Sequence, residues 1–407
     1  MNLTVEMLLP LAGILLGAKL AASFSQRLGL PAVFGELMFG LLVGPSILNW
    51  IHPNEALHLL ADIGVILLMF MAGMETDMAE MRKVGKTSLL TAIGGMALPL
   101  AGGLGLGLAF GIPLNGALFL GAVLTATSVS ISAQTLREMG HLRSREGTTI
   151  LSAAIIDDIL GVVLFAIVMS LVGAGNILLT LGKMLVFFPI AWLLGDRILP
   201  SIIRWTEKQK HPESGLAILF GLLLVYAWAA EVFGSVATIT GAYLLGVLVA
   251  KHVEKHHIIH SGSAALGYGF LIPIFFVNIG LQAQTSGLVS NPMLTVLLAI
   301  FAVASKIIGC GAGALMGGMT RRSALQVGVS MVSRGEVALV IAGAGLAAGL
   351  LDAANFSILI LVTLVTTLIT PPLLRLSFST EAPRFALLAA FRERFTIFNK
   401  QKYAPEE

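Results

Sequence analysis

The chain has 407 residues, of which 57% are hydrophobic and 12% are charged, and its formal net charge is +3. Soluble domains carry roughly 25% charged residues, so this composition excludes a soluble globular protein and indicates a polytopic membrane protein. The weak net charge gives no indication of a nucleic-acid partner, and the single cysteine, Cys310, cannot form an intrachain disulfide or a cysteine metal cluster.

Thirteen apolar stretches of about 17 to 27 residues predict an all-α fold with thirteen transmembrane helices. The second and ninth stretches are short and rich in glycine, and the fifth and twelfth have polar centres. In chain order, the predicted spans are 7–24, 31–51, 57–74, 87–111, 113–136, 147–171, 176–199, 214–232, 235–250, 264–281, 292–318, 323–348 and 354–376.

The positions of lysine and arginine predict how these spans are oriented. Lys19, Lys183, Lys306 and Arg334 lie well inside spans, and every other basic residue lies in the last residues of an odd-numbered span or in the segment that follows it. Because basic residues concentrate on the cytoplasmic side, we predict an N-terminus outside the cell and a short cytoplasmic tail at 377–407. A tail of this length is too short for a nucleotide-binding regulatory domain, so none is expected.

A weak internal repeat relates the two halves of the chain. The segment GELMFGLLVG (35–44) in span two resembles GAYLLGVLVA (241–250) in span nine, and GMETD (73–77) resembles GLQAQ (280–284). Both pairs are seven spans apart. Because seven is odd, the halves would cross the membrane in opposite directions, and such inverted repeats are typical of secondary transporters.

Four predicted spans bring polar groups to one depth of the membrane. Span five contributes TATSVSISAQT (125–135), in which most side chains carry a hydroxyl or an amide. The charged residues are Asp157 and Asp158 in span six, Lys306 in span eleven, and Arg334 and Glu336 in span twelve. Because ionised side chains inside a membrane are costly and usually functional, we expect these spans to meet at an ion or proton site.

The two adjacent aspartates cannot share one partner, because neighbours on a helix point about 100° apart. One of them can pair with Lys306, which lowers the cost of burying both charges, while the other faces a water-filled cavity. That second carboxylate can hold either a proton or a small hard cation, with Thr127 and Ser128 as candidate oxygen ligands. This competition predicts cation–proton exchange, and the spacing does not decide which aspartate carries the proton.

The polar centres of spans five and twelve also predict two broken helices. The hydroxyls of Thr127, Ser128 and Ser130 can satisfy backbone groups that a helix break leaves free, and Gly335 marks a break in span twelve. The two breaks fall at equivalent positions of the repeat. Where such helices cross, Arg334 and Glu336 can neutralise the opposed helix dipoles.

Other functions fit parts of this pattern. A potassium/proton exchanger would need the same residues, whereas an intramembrane aspartyl protease needs two facing carboxylates from separate helices. A channel and a non-transporting sensor are further alternatives, and Glu36 and Asp62 allow a structural or a functional interpretation. A predicted cytoplasmic loop, either solvated or pH-sensing, contains His252, His256, His257 and His260.

Four motifs in the order TATSVSISAQTLREMG, AAIIDDILG, ASKIIG and SRGEVALVIA resemble the NapA-type sodium/proton antiporters. These proteins belong to the second monovalent cation–proton antiporter family, together with the related Kef potassium-efflux proteins. The resemblance spans nearly the whole chain. It implies an NhaA/NapA-like fold with two crossed broken helices, an elevator-type movement, a homodimer and a location in the inner membrane of a prokaryote.

The resemblance also assigns parts of the chain to domains and to transport. It implies core helices at 87–171 and 292–376, dimerisation helices at 7–74 and 214–281, and a linker helix at 176–199. It implies a protein that is surrounded by membrane lipid and exchanges Na⁺ or Li⁺ for H⁺ across the membrane. It implies no cofactor and no enzymatic reaction. K⁺ remains an alternative cation.

Residue by residue, the resemblance implies a division of roles. Asp158 matches the ion-binding aspartate, and Asp157 matches the aspartate that pairs with Lys306. The residues that match the crossing of the two broken helices are Thr127, Ser128, Ser130, Arg334 and Glu336. Two aspartates with a lysine resemble the electrogenic exchangers, whereas Kef-type proteins carry Gln-Asp at this point, so the resemblance favours NapA over Kef.

Overall fold

The computed structural model describes residues 3–28, 30–76, 78–171, 177–207, 212–252, 257–282 and 291–379, and within them it contains helices and no β-strand. A π-helical turn at Gly267–Leu271 joins two of the helices. The helices are α1 (Leu3–Arg27), α2 (Ala32–Val43), α3 (Glu55–Met74), α4 (Met78–Ala109), α5 (Leu114–Thr125), α6 (Val129–Glu138), α7 (Arg145–Leu171), α8 (Ile177–Glu207), α9 (Pro212–Val232), α10 (Thr238–His252), α11 (His257–Leu266), α12 (Ile272–Leu281), α13 (Pro292–Met316), α14 (Arg321–Ser330), α15 (Glu336–Ala347) and α16 (Ala353–Phe378).

Ten helical segments in the described part of the chain are long and apolar enough to cross a membrane. The prediction of an all-helical membrane protein is therefore confirmed. The predicted count of thirteen spans is not confirmed, because α2 has only 12 residues and α10 only 15. It stays a prediction.

The helices form two groups according to their packing. In the first, which we call the crossing bundle, α4–α7 pack with α13–α16; in the second, the flanking bundle, α1–α3 pack with α9–α12. Helix α8 contacts α7, α9 and α10. The predicted roles of these segments in translocation, dimerisation and linkage stay predictions.

Glycine allows helices in the crossing bundle to touch backbone to backbone. A Cβ atom placed on Gly94 of α4 would lie 2.2 Å from the carbonyl oxygen of Gly309 in α13, and a Cβ on Gly309 would lie 2.2 Å from that of Gly94. Small residues permit this approach, which is a common basis of helix packing in membranes. Next to this contact, Cys310 is fully buried.

Polar contacts join the two bundles at the end that carries the basic connections. Arg137 Nη1 lies 3.1 Å from Glu75 Oε1 and also donates to the hydroxyl of Tyr268. The adjacent Glu138 accepts a 2.6 Å hydrogen bond from the backbone N–H of Ala32, at the start of α2. A carboxylate is favourable there because the N-terminal N–H groups of a helix lack intrahelical partners.

The histidine-rich segment differs from the predicted loop. His252 ends α10 and lies 3.2 Å from Asp196 of α8 through its Nε2 atom, and Lys251 lies 2.5 Å from the same carboxylate. His256 lies outside the described residues, as do the side chains of His257 and His260, whose backbone begins α11. Of the predicted tail at 377–407, the structure describes only the end of α16 and Ser379.

Candidate functional site

The first helix break separates α5 from α6. Helix α5 ends at Thr125 and α6 begins at Val129, and both Ala126 and Ser128 have non-helical backbone angles. The hydroxyl of Thr125 donates back to the carbonyl oxygen of Ala122 at 2.7 Å, and the Ser128 hydroxyl lies 3.0 Å from that of Ser130. The break therefore falls in the polar segment that the sequence predicts.

The second break, between α14 and α15, lies against the first. The backbone N–H of Ser128 donates to the carbonyl oxygen of Ser333 at 2.8 Å, and the Ser333 hydroxyl donates to the carbonyl oxygen of Ser128 at 2.6 Å. The Ser132 hydroxyl donates to the carbonyl oxygen of Ser330. These bonds satisfy backbone groups that each helix leaves free where it is broken, as irregular backbone at membrane depth requires.

Arg334 fills the space between the broken helices and has no exposed surface. Its Nε and Nη2 atoms donate to the carbonyl oxygen of Leu124 at 3.2 and 2.8 Å, its Nη1 to that of Val332 at 3.1 Å, and its Nη2 to that of Ala302 at 3.1 Å. Because Leu124 lies in the last turn of α5, the guanidinium neutralises the negative end of that helix dipole. The side chain of Glu336 lies outside the described residues.

Beside the crossing, Asp157 of α7 meets Lys306 of α13. The Lys306 Nζ atom lies 3.4 Å from Asp157 Oδ2, and both side chains are almost completely buried. Thr127 lies between them, because its hydroxyl accepts a 2.6 Å hydrogen bond from Lys306 and donates a 2.6 Å bond to Asp157. The other carboxylate oxygen of Asp157, Oδ1, is buried without a hydrogen-bond partner among the described residues.

Asp158 points in a different direction from Asp157. It is partly exposed and lines a cavity of about 10 Å³ between the two bundles. The Thr240 hydroxyl, on α10 of the flanking bundle, donates to Asp158 Oδ2 at 3.3 Å, and Met69 and Tyr243 also line the cavity. A cavity of this volume has room for about one water molecule.

The structure thus distributes the predicted site residues over two neighbouring places. Asp157, Lys306 and Thr127 form a buried cluster inside the crossing bundle, whereas Asp158 faces the flanking bundle. Thr127, predicted as a ligand beside Asp158, instead bonds to Asp157 and Lys306. The Ser128 hydroxyl, the other candidate ligand, is turned towards Ser130.

Sequence reasoning missed Thr240 as a residue of the site. Its only signal is a hydroxyl near the start of the short, glycine-rich span nine, in TITGAY (238–243). Nothing in that pattern indicates that α10 faces Asp158. The contact is a consequence of how α10 packs against α3 and the crossing bundle.

Replacing Thr127 by valine is expected to destabilise the protein by about 1 to 3 kcal/mol, because buried Asp157 and Lys306 would each lose a hydrogen bond. Valine keeps the shape of threonine, and Thr127→Ser keeps the hydroxyl as a control. Thermal unfolding of the purified variants in detergent measures the difference. Equal stability of the valine and serine variants would contradict this role of the hydroxyl.

The site defines the class of protein as a secondary transporter. Two helices are broken at mid-length and bonded to each other through their backbones, and a buried lysine–aspartate pair lies beside them. Discontinuous helices that meet near the middle of the membrane, with charged groups between them, are the architecture of secondary transporters. Their buried charges mark ion and proton pathways.

Comparison with known proteins identifies the family within this class. The family model described as "Sodium/hydrogen exchanger, transmembrane" matches residues 13–376. The chain is 42% identical to the Na(+)/H(+)-K(+) antiporter GerN of Bacillus cereus, over 92% of this chain and 97% of that protein. It is 35% identical to the Na(+)/H(+) antiporter of Enterococcus hirae, over 89% of this chain and 95% of that protein. The chain belongs to the sodium/hydrogen exchanger family.

A solved structure supports the fold. The sodium proton antiporter MjNhaP1 of Methanocaldococcus jannaschii superimposes with a TM-score of 0.67, over 94% of this chain and 97% of that one, at 18% sequence identity. At this identity, the likeness concerns the fold. The predicted membership of a sodium/proton antiporter family is confirmed, and a family of exchangers is consistent with the prediction of a transporter rather than an enzyme.

Proposed function

We propose that this family member exchanges Na⁺ for H⁺ at Asp158, and that Asp157 and Lys306 couple the two ions. The observation that carries the proposal is the divergence of the two aspartates. One carboxylate is held by Lys306 and Thr127 inside the crossing bundle, while its neighbour lines a cavity between the bundles. A carboxylate at such a place can bind a proton or a hard cation, and each excludes the other.

In this mechanism, the buried pair responds to what Asp158 binds. Without a cation, Lys306 stabilises Asp157 across 3.4 Å, and the negative charge of Asp158 adds to the attraction for protons. A cation at Asp158 neutralises part of that charge and weakens the hold of the site on protons. Release of protons on cation binding, and the reverse, is the coupling that antiport requires.

The contacts favour a separate ligand for each of the two aspartates. Asp158 has the Thr240 hydroxyl at 3.3 Å, while Asp157 Oδ1 has no hydrogen-bond partner among the described residues. An unsatisfied buried carboxylate oxygen is costly and marks a place where a ligand can be accommodated. Because the two aspartates diverge on α7, we infer that the cation binds at Asp158 while a proton or a water molecule is accommodated at Asp157 Oδ1.

An elevator-type movement of one bundle against the other would expose Asp158 to each side in turn. Support comes from the position of this residue, which lies on the crossing bundle and faces α3 and α10 of the flanking bundle. The proposed inverted repeat is supported by helix pairs that correspond after a shift of seven spans. Contacts of α1 with α2 correspond to those of α9 with α10, and contacts of α2 with α12 correspond to those of α10 with α3.

The repeated glycines in the GELMFGLLVG and GAYLLGVLVA segments make corresponding contacts. A Cβ on Gly40 of α2 would lie 2.1 Å from the carbonyl oxygen of Val277 in α12. At the related position, a Cβ on Gly246 of α10 would lie 2.2 Å from that of Phe70 in α3. The same close approach at both places gives a physical reason for the resemblance of the two segments.

We further propose a thirteen-span homodimer in the inner membrane, with the N-terminus outside and the C-terminus in the cytoplasm. The orientation is supported by Arg137 and Lys251, which lie in the last turns of α6 and α10, at connections that the predicted topology places on one side. Surrounding lipid would cover the exposed apolar side chains of α1 and α8, such as Leu9 and Leu185. No cofactor is proposed.

Purified protein in liposomes with an imposed pH gradient and an entrapped pH dye tests the proposed exchange. We expect Na⁺ and Li⁺ to dissipate the gradient, with choline as the negative control. GerN is named as a Na(+)/H(+)-K(+) antiporter, so K⁺ is included in the series. Dissipation by K⁺ alone would favour the potassium/proton alternative, and no response to any cation would contradict antiport.

Replacing Lys306 by glutamine is expected to change the coupling from electrogenic to electroneutral, because the ammonium that can carry a proton charge is lost. A voltage-sensitive dye in Na⁺-loaded proteoliposomes measures the charge moved per cycle. Lys183→Gln serves as the control, since Lys183 is an exposed lysine of α8. Unchanged charge movement by the Lys306 variant would argue against a proton-carrying lysine.

A further inference from the structure

A second polar cavity lies between the two bundles, away from Asp158. Its volume is about 60 Å³, and it lies between α3 and α12 of the flanking bundle and α15, α16 and the second helix break of the crossing bundle. Of its lining residues, Asp62 is exposed. Asp62, Asn278 and Thr363 contribute polar groups, and Gly335 brings the cavity to the crossing itself. None of these groups takes part in the Asp158 site.

Asn278 supplies the observation that this cavity is built to bind something. The side chain is 4% exposed, and its amide nitrogen lies 3.2 Å from His58 Nδ1, where it can donate to the neutral ring. Its amide oxygen is then turned away from His58 and has no hydrogen-bond partner among the described residues. Because a buried amide oxygen without a partner is costly, its retention in the cavity wall calls for a ligand.

The polar groups of the cavity offer oxygen atoms that could coordinate a cation. Asp62 offers a carboxylate, Asn278 an amide oxygen and Thr363 a hydroxyl, which are ligands that hard cations prefer. The guanidinium of Arg334 donates to the carbonyl oxygens of Leu124, Ala302 and Val332, so its side chain is engaged on the other side of the crossing. Acidic side chains inside membrane spans are usually functional, which favours the functional interpretation of Asp62.

We propose that this cavity, formed around Asp62 and Asn278, is a second binding station for the transported monovalent cation, on the extracellular side of Asp158. The inference rests on the proposed function, which provides the cation and the orientation. Asp62 lies in the half of α3 distant from Glu75 and Arg137, at the end of the bundles opposite to the basic connections. On α3, Met69 lines the Asp158 cavity and Asp62 lies nearer the N-terminal end, which the proposed orientation places outside, so a cation released outwards would meet Asp62.

A binding measurement that does not depend on transport tests this station. In an Asp158→Asn background, which removes the central site, we expect added Na⁺ still to raise the thermal unfolding temperature relative to choline. Adding Asp62→Asn, or Asn278→Leu in case the first variant is unstable, should remove that response. Adding Asp352→Asn should not, since Asp352 is an exposed N-cap residue of α16 and asparagine also caps helices.

Transport gives a side-specific readout in the otherwise wild-type protein. Asp62→Asn is expected to raise the half-saturating Na⁺ concentration about tenfold on the extracellular side, as expected for the loss of one charged ligand, and less than about twofold on the cytoplasmic side. Right-side-out and everted membrane vesicles separate the two values. Equal effects on both sides, or loss of the Na⁺ response in Asp158→Asn alone, would overturn the second station. Exchange that survives in Asp158→Asn would instead contradict the proposed function.

Discussion

Asp158→Asn is expected to abolish Na⁺-dependent proton exchange in proteoliposomes, reducing the rate to that of protein-free vesicles. Asparagine has nearly the same shape, but it can neither bind a proton at neutral pH nor carry the charge that attracts a cation. The Thr240 hydroxyl can still bond to the amide oxygen, so the fold is expected to survive. The pH-dye assay measures the loss for Na⁺ and Li⁺.

Asp196→Asn is the matched control for this experiment. It makes the same chemical change at a carboxylate of α8, which pairs with Lys251 and His252 away from the crossing. Surface ion pairs of this kind contribute little to stability, so exchange should remain near the wild-type rate. Robust exchange by the Asp158 variant would remove this residue from the mechanism and leave Asp157 as the carboxylate to test.

Arg334→Met is expected to destabilise the protein by about 3 kcal/mol or more. Methionine fills much of the same space, but it leaves the carbonyl oxygens of Leu124, Ala302 and Val332 without the donors that now satisfy them. Charge-assisted hydrogen bonds contribute about 1.5 to 3 kcal/mol each, and buried acceptors without partners are costly. The lost hydrogen bonds lie at the helix breaks, where helical backbone hydrogen bonds cannot replace them.

Cys310 gives a direct readout of this unfolding. It is the single cysteine of the chain and is fully buried, so a fluorogenic maleimide should react only after the α4–α13 contact opens on heating. Arg334→Lys is the control, because it keeps the charge with a compact head that reaches fewer carbonyl oxygens, and intermediate stability is expected. A methionine variant as stable as the wild type would show that the carbonyl groups find other donors.

The sequence was informative about properties that depend on residues close together along the chain. The hydropathy of the spans predicts a membrane protein, and the clustered hydroxyls near Thr127 and the glycine at Gly335 predict where two helices break. It also predicts that Asp157 and Asp158 diverge, because their angular separation is a property of any helix. The predicted number of membrane spans is less certain from the sequence, because α2 and α10 are shorter than a typical membrane-spanning helix.

The roles of individual oxygens could not be derived in the same way. The sequence identifies Thr127 as a residue of the polar motif, but it does not show which carboxylate Thr127 contacts. In the structure, its hydroxyl bonds to Asp157 and Lys306 rather than to Asp158. Thr240 and Asn278 gave almost no signal along the chain. Each becomes significant only because another helix brings a carboxylate or a cavity against it.

By itself, the sequence determined that this chain is a helical membrane protein with costly charges at one depth, because hydropathy and the cost of buried charge depend on position along the chain. Helix periodicity left open which aspartate meets Lys306, and only the tertiary structure shows the contact of Asp157 with Lys306, the contact of Asp158 with the flanking bundle, and the carbonyl oxygen of α5 that Arg334 binds. The physical reason is the rotation of each helix about its axis. That rotation follows from contacts such as Gly94 with Gly309, which join segments far apart in sequence.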